Sequence, residues 1–284
     1  MLNAFTIDVE DYFQVSAFEG RIQRRHWEQF PSRVVDNTHK LLDLLARHQV
    51  RGTFFVLGWI AQRFPKLVKA IDAAGHEIGS HSFWHRLIYQ QTPEEFRDDL
   101  RQSRAVLQDV TGKPVLAYRA PSFSITRDSL WAFDILQDEG IQYDSSVQPI
   151  VHDRYGIPDA NPLPHRIGSL WEFPPAVHRF AWFNLPVSGG GYFRLYPLWW
   201  TVRCLRLINE RRATPFVFYV HPWEIDPEQP RLQGSWLARR RHYLNLASTE
   251  AKLDRLLGEF SFGKLSEALP APAGTELETA HARS

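Results

Sequence analysis

Apolar and polar positions along this chain follow two rhythms, and the switches between them mark its elements. Leu2 to Ile7 is a near-continuous apolar run that reads as a buried strand. From Arg33 to Gln49, Val34, Leu41, Leu42, Leu44 and Leu45 form one stripe at helical spacing. "RGTFFVLG" (residues 51–58) returns to a short β-rich run. Helical spacing resumes over 60–74 and over 94–111, where Thr92 and Glu95 match a capping box. "VLAYRAP" and "IQYDSS" read as strands around a helix spanning about 127–139. A helix over 198–211 then leads into the strand "PFVFYVHP". The stretch 149–191 is rich in proline, glycine and aromatics and is expected to be a long loop with short strands.

Strands alternating with helices predict parallel βα units, an α/β fold with a barrel-like sheet. In such folds functional groups gather where the strands end. That rule picks out Asp8 to Asp11, Arg119, Asp144 and His221.

Composition narrows the classes. The 284 residues are 44% hydrophobic, enough for a large core, and carry a net charge of only +1. That balance argues against a general nucleic-acid binder, which needs a strongly basic face. The run "ARRRH" (238–242) reads as a solvated face. Ten tryptophans favour core packing, and the aromatic stretch 182–200 is read equally as core or as a sugar-stacking surface. Cys204 is the only cysteine, so no internal disulfide forms, which fits a reducing compartment. No window is apolar enough to be an integral membrane segment, and no secretory leader pattern opens the chain. The expected address is the cytoplasm, with a membrane-peripheral location as the alternative. The end, 269–284, is expected to be a disordered tail.

Two short clusters carry chemistry. In "GHEIGSHSFWH", His81 and His85 stand four apart, and on a helical turn or tight loop both rings can meet one ion. In "FTIDVEDYFQV", Asp8, Glu10 and Asp11 place three carboxylates within four positions. Two histidines and one carboxylate make a catalytic metal set with open positions, and the metal's charge offsets the repulsion of the acids. Strand alternation puts Glu10 on the face of Asp8, which favours Glu10 as ligand; Asp11 stays open.

These clusters resemble the motifs of the polysaccharide deacetylase family, also called the NodB-homology or carbohydrate esterase family 4 group. "TIDVED" is similar to its acidic motif, "HSFWH" to its histidine motif, "RAPSF" (119–123) to its arginine motif and "YVHP" (219–222) to the motif in which a histidine ends an apolar strand. "DVEDYFQV", "GGGYFR" and "HPWEID" further resemble a subgroup tied to exosortase-type exopolysaccharide loci. The resemblance implies a distorted (β/α) barrel with about seven parallel strands. It implies one deacetylase domain over 1–268, of which 222–268 is a family-specific extension. The activity implied is metal-dependent removal of N-acetyl groups from N-acetylhexosamine units of a polysaccharide or its precursor. A divalent metal, foremost Zn2+, is the implied cofactor. The partners implied are that saccharide and, peripherally, the envelope-polysaccharide machinery. A deformylase or deacetylase of a lipid-linked sugar, and a silent glycan-binding relative, are the alternatives.

By motif, the resemblance makes Asp8 the general base, His81 and His85 metal ligands, Arg119 the partner of Asp8, and His221 the general acid. The chain departs from the pattern where Val9 separates the acids, and where Ser122 replaces an aromatic after Pro121. The backbone N–H of Ser122 still suits an oxyanion. Asp144, in "YDSS", is expected to partner His221.

Overall fold

The computed structural model describes residues 1–180 and 183–269. The N-terminal apolar run forms β1 (Leu2–Val9), buried from Asn3 onward, and it seeds the sheet. After α1 (Val34–Arg47) comes β2 (Thr53–Val56), then α2 (Gly58–Arg63) and α3 (Pro65–Ala73). The single helix expected over 60–74 is therefore two. Pro65 cannot donate to a preceding turn and starts its own helix after the bend at Phe64. Next are β3 (Glu77–Ser80) and α4 (Pro93–Thr111), whose start carries the reciprocal Thr92–Glu95 bonds. β4 (Ala117–Tyr118), α5 (Ala132–Asp138) and β5 (Tyr143–Asp144) follow.

The stretch 149–191 does hold short strands: β6 (His165–Ile167), β7 (Leu170–Glu172), β8 (Val177–Phe180) and β9 (Phe183–Pro186). Then come α6 (Gly190–Leu195), α7 (Leu198–Arg211), β10 (Val217–Val220), α8 (Trp236–Tyr243), α9 (Leu246–Leu257), β11 (Ser261–Gly263) and α10 (Leu265–Ala268). Trp182 and the tail from 270 lie outside the described residues.

The main sheet runs β10-β1-β2-β3-β4-β5-β7-β6, with β11 also on β1. Every pairing in it is parallel except β6 with β7, which gives a curled half-barrel. β8 and β9 pair apart from it as an antiparallel hairpin. Beside β1, Ile7 pairs with Val220 and with Phe54, so the ends of β1 and β10 reach one rim together. Phe5, Ile7, Phe54 and Phe218 sit in the core that fixes this register. No helix among the described residues is long and apolar enough to cross a membrane.

Candidate active site

At the rim end of β1, Asp8 is buried and its Oδ1 lies 2.7 Å from Nη1 of Arg119. Arg119 is fully enclosed just past β4. Its guanidinium also donates to Thr6 Oγ1 (2.8 Å), Ser145 O (3.0 Å) and Ser145 Oγ (2.8 Å), and lies over the Phe55 ring. A buried ion pair is retained when its other donors are bonded, and here four of the five guanidinium N–H groups have partners.

β1 ends at Val9, and a tight turn in which Glu10 N–H donates to Asp8 O (3.0 Å) keeps Glu10 over the rim. Glu10 Oε1 accepts from Trp223 Nε1 (3.1 Å). Asp11 turns away to cap α1: Oδ2 accepts from Ser32 Oγ (2.6 Å) and from the N–H groups of Arg33 (3.0 Å) and Val34 (3.2 Å). Of the two open candidates, the structure brings Glu10 to the histidines and spends Asp11 on a helix start.

His81 and His85 converge from a loop after β3 rather than from a helical turn. Ser82 (φ 72°) and His85 (φ 53°) take left-handed backbone there. Asp99 of α4, which the sequence did not single out, holds this loop. Its carboxylate accepts from Ser82 Oγ (2.6 Å), Phe83 N–H (2.7 Å) and Trp84 N–H (3.2 Å). Arg24 grips the far side through the carbonyls of Trp84 (2.6 Å) and His85 (3.2 Å). His81 Nδ1–H donates to Arg119 O (2.8 Å), which leaves Nε2 with a free lone pair. Burial pushes His81 down to about 4, so the ring is neutral.

One nitrogen of each ring and a Glu10 oxygen lie within 4.8 Å of one another. Glu10 Oε2 stands 2.8 Å from His85 Nε2 and has no other partner among the described residues. Burial raises Glu10, but the charges of His85 and His221 outweigh it and bring the carboxyl to about 2. A buried carboxylate with an orphan oxygen beside two imidazole nitrogens is a donor set that fits a divalent cation.

His221, just past β10, faces this cluster with Nε2 3.6 Å from Glu10 Oε1 and 3.8 Å from Asp8 Oδ2. Its partner is Glu224, not the expected Asp144. Glu224 Oε2 lies 3.1 Å from His221 Nδ1 and 3.1 Å from its backbone N. Burial opposes charge on His221, but Glu224, with Glu10 and Asp8, outweighs it and lifts the ring to about 9. Arg194 of α6 donates to Glu224 Oε1 (2.7 Å) and to the carbonyls of Arg241, His242 and Leu244. Trp223 stacks on His221 at 5.1 Å while it bonds Glu10.

Asp144 instead pairs with Glu172 across β5 and β7, and its Oδ1 accepts from Ser146 Oγ (2.6 Å). The spacing of Glu224, three after His221 and following a proline, is a helix-start signal; a histidine at the cap position hid it. Ser122 lines the cavity in left-handed backbone (φ 52°, ψ 29°), its Oγ 2.7 Å from Ser16 Oγ.

Above the cluster opens a cavity of about 500 Å3, with Asp8, Glu10, His81, His85 and His221 at its floor and Tyr155, Tyr192 and Trp223 among its aromatic lining.

Two family models match successive parts of the chain. Residues 27–142 match the polysaccharide deacetylase family, and residues 145–270 match a domain of unknown function, DUF3473. A peptidoglycan-N-acetylglucosamine deacetylase of Bacillus cereus is 28% identical over 130 residues, 42% of this chain and 47% of that protein. A peptidoglycan-N-acetylmuramic acid deacetylase of Bacillus subtilis is 38% identical over 84 residues, 30% of this chain and 32% of that protein. The chain thus spans 32% to 47% of the length of these curated relatives. A Mycobacterium smegmatis structure classed as a polysaccharide deacetylase superposes with a TM-score of 0.58 at 19% identity, covering 98% of this chain and 94% of that one. A family 4 carbohydrate esterase from Streptomyces lividans gives 0.52 at 14% identity, covering 95% and 97%. At these identities the two structures speak for the fold alone. The segment matching DUF3473 is no appendage: it contributes β10 and β11, both paired with β1, as well as His221 and Glu224.

Proposed function

From the polysaccharide deacetylase family, which the family-model match and the curated relatives support for this chain, we propose a metal-dependent N-deacetylase acting on N-acetylhexosamine units of a saccharide. The observation that carries this reading is the convergence of Glu10, His81 and His85 beside Asp8 and His221. Glu10, His81 and His85 would hold the metal, with Zn2+ the first choice for two histidines and one carboxylate. When bound, the ion would make water acidic enough to attack an amide carbonyl near neutral pH.

Within that reading the residues divide the proton traffic. Asp8 accepts the proton of the attacking water, and Arg119 aims it through the 2.7 Å contact. The backbone N–H of Ser122, a residue that lines the cavity, would serve the developing oxyanion. His221 delivers a proton from Nε2 to the leaving amine, while Glu224 holds Nδ1 and fixes the tautomer. Asp144 has no part in this scheme, because its hydrogen bonds go to Glu172 and Ser146.

The finer assignments belong to the same proposal. They are a place in exopolysaccharide synthesis, suggested by "DVEDYFQV", "GGGYFR" and "HPWEID", a cytoplasmic address, and one domain over 1–268. The test is acetate release and product mass on a panel of N-acetylglucosamine oligomers and lipid-linked precursors, with metal analysis of the same preparation. Binding of sugar with no acetate released by metal-loaded protein would make this chain a glycan-binding relative instead.

A further inference from the structure

The outer wall of the cavity differs in kind from its floor. It is drawn from the loop around His152 to Tyr155, from α6 and from α8. Three arginines line the cavity; Arg194 is committed to Glu224, which leaves Arg154 and Arg241. Among the described residues Arg154 has no carboxylate partner. Arg241 meets Asp153 at 3.4 Å with the two side chains 49% and 57% exposed, a pairing worth little in water.

Beside these cations the wall is apolar and bare. Leu195 and Leu237 both line the cavity, yet are 53% and 45% exposed. Trp236, next to Leu237, is 72% exposed, and Val151, one residue before the lining His152, is 81% exposed. Two exposed leucines from separate helices therefore line this mouth, and two more exposed apolar residues adjoin lining residues in the chain, an arrangement that marks a contact surface.

Guanidinium next to open apolar surface suits one ligand chemistry, a phosphate ester that carries a hydrocarbon chain. Arginine meets phosphate oxygens with paired planar donors, and leucine and tryptophan shelter the chain that follows. We propose that the saccharide taken by this site is carried on a lipid phosphate. The sugar lies on the floor, the phosphate at Arg154 and Arg241, and the first part of the lipid on Leu195, Leu237 and Trp236. This assignment rests on the deacetylase reading for the floor and adds the substrate class.

Binding decides it independently of turnover. The full chain, stripped of metal by a chelator so that nothing is hydrolysed, is titrated calorimetrically with three probes: diacetylchitobiose, N-acetylglucosamine 1-phosphate, and a prenyl phosphate of N-acetylglucosamine. The phosphate and then the prenyl chain should each tighten binding, on the order of tenfold per step. Replacing both arginines (Arg154→Ala with Arg241→Ala) should remove the phosphate step. Leu195→Ser with Leu237→Ser should remove only the prenyl step. Equal affinity for all three probes would overturn the proposal, as would gains that survive both double variants, or a phosphate step with no prenyl step. Acetate release by metal-loaded chain is scored separately. Its absence would defeat the deacetylase reading, while the binding series would still decide the lipid-phosphate assignment.

Discussion

Glu224 Oε2 lies 3.1 Å from His221 Nδ1, so the ring's other nitrogen, Nε2, is the one turned toward Asp8 and Glu10. Glu224 is itself fixed by Arg194, and burial, which raises it, is outweighed by the charges of Arg194 and His221 that bring it to about 2. Glu224→Gln removes the charge and leaves one acceptor oxygen where Glu224 has two, for Arg194 and for His221. It should lower turnover on an N-acetyl substrate by roughly one to two orders of magnitude while leaving an activated aryl ester, whose leaving group needs little protonation, nearly unaffected. Steady-state rates on the two substrates check this; equal losses would remove the proton-delivery role of His221.

Asp8→Asn should retain metal and lose roughly two to four orders of magnitude in turnover, the range for a missing general base. Elemental analysis of the purified variant alongside the rate decides it. Loss of metal together with activity would make Asp8 a ligand.

His81→Gln should abolish metal binding without reference to activity. Wild-type chain heated with zinc a thousandfold above its Kd should melt roughly 5–10 °C higher than the stripped chain. The variant should show no such rise, and a rise of the same size in both would exclude His81 as a ligand.

Asp99→Asn tests the loop anchor. It keeps the size of the side chain but weakens three bonds that hold Ser82, Phe83 and Trp84. Metal affinity should fall by roughly 10–100-fold, as when residues behind metal ligands are altered. Competition with a zinc indicator measures it, and unchanged affinity would reduce Asp99 to a structural cap.

Asp144 and Glu172 predict a pH dependence. Among the described residues Asp144 Oδ2 and Glu172 Oε2 are both buried without a separate donor, which one shared proton satisfies. Burial first, and the Asp144 charge second, raise Glu172 well above the usual carboxylate range. A raised acid binds its proton more tightly folded than unfolded. Its contribution is therefore complete below about pH 4.5 and is lost as pH rises toward the folded value. Glu172→Gln keeps a donor toward Asp144 that does not titrate. Between pH 5 and pH 8 the wild type should lose urea resistance relative to this variant. A constant difference across that range would refute the shared proton.

The sequence by itself determined the repeating βα pattern, the strand ends at Asp8, Arg119 and His221, the His81–His85 pair, and the start of α4. Each of these is written in contiguous residues. Period and end signals act over a few positions, and local backbone geometry turns them directly into structure. The tertiary structure alone decided which carboxylate meets which base. Asp11 is drawn to the start of α1 because Ser32, Arg33 and Val34 present donors there, which leaves Glu10 for the histidines. Asp144 is drawn to Glu172 because β5 pairs with β7, a neighbour that the sequence left unassigned in 149–191. His221 takes Glu224, and Arg194 anchors the pair from 30 residues upstream. In a closed interior a charge must find compensation wherever packing puts it, so its partner is set by which strands and helices become neighbours, and a short motif does not encode that.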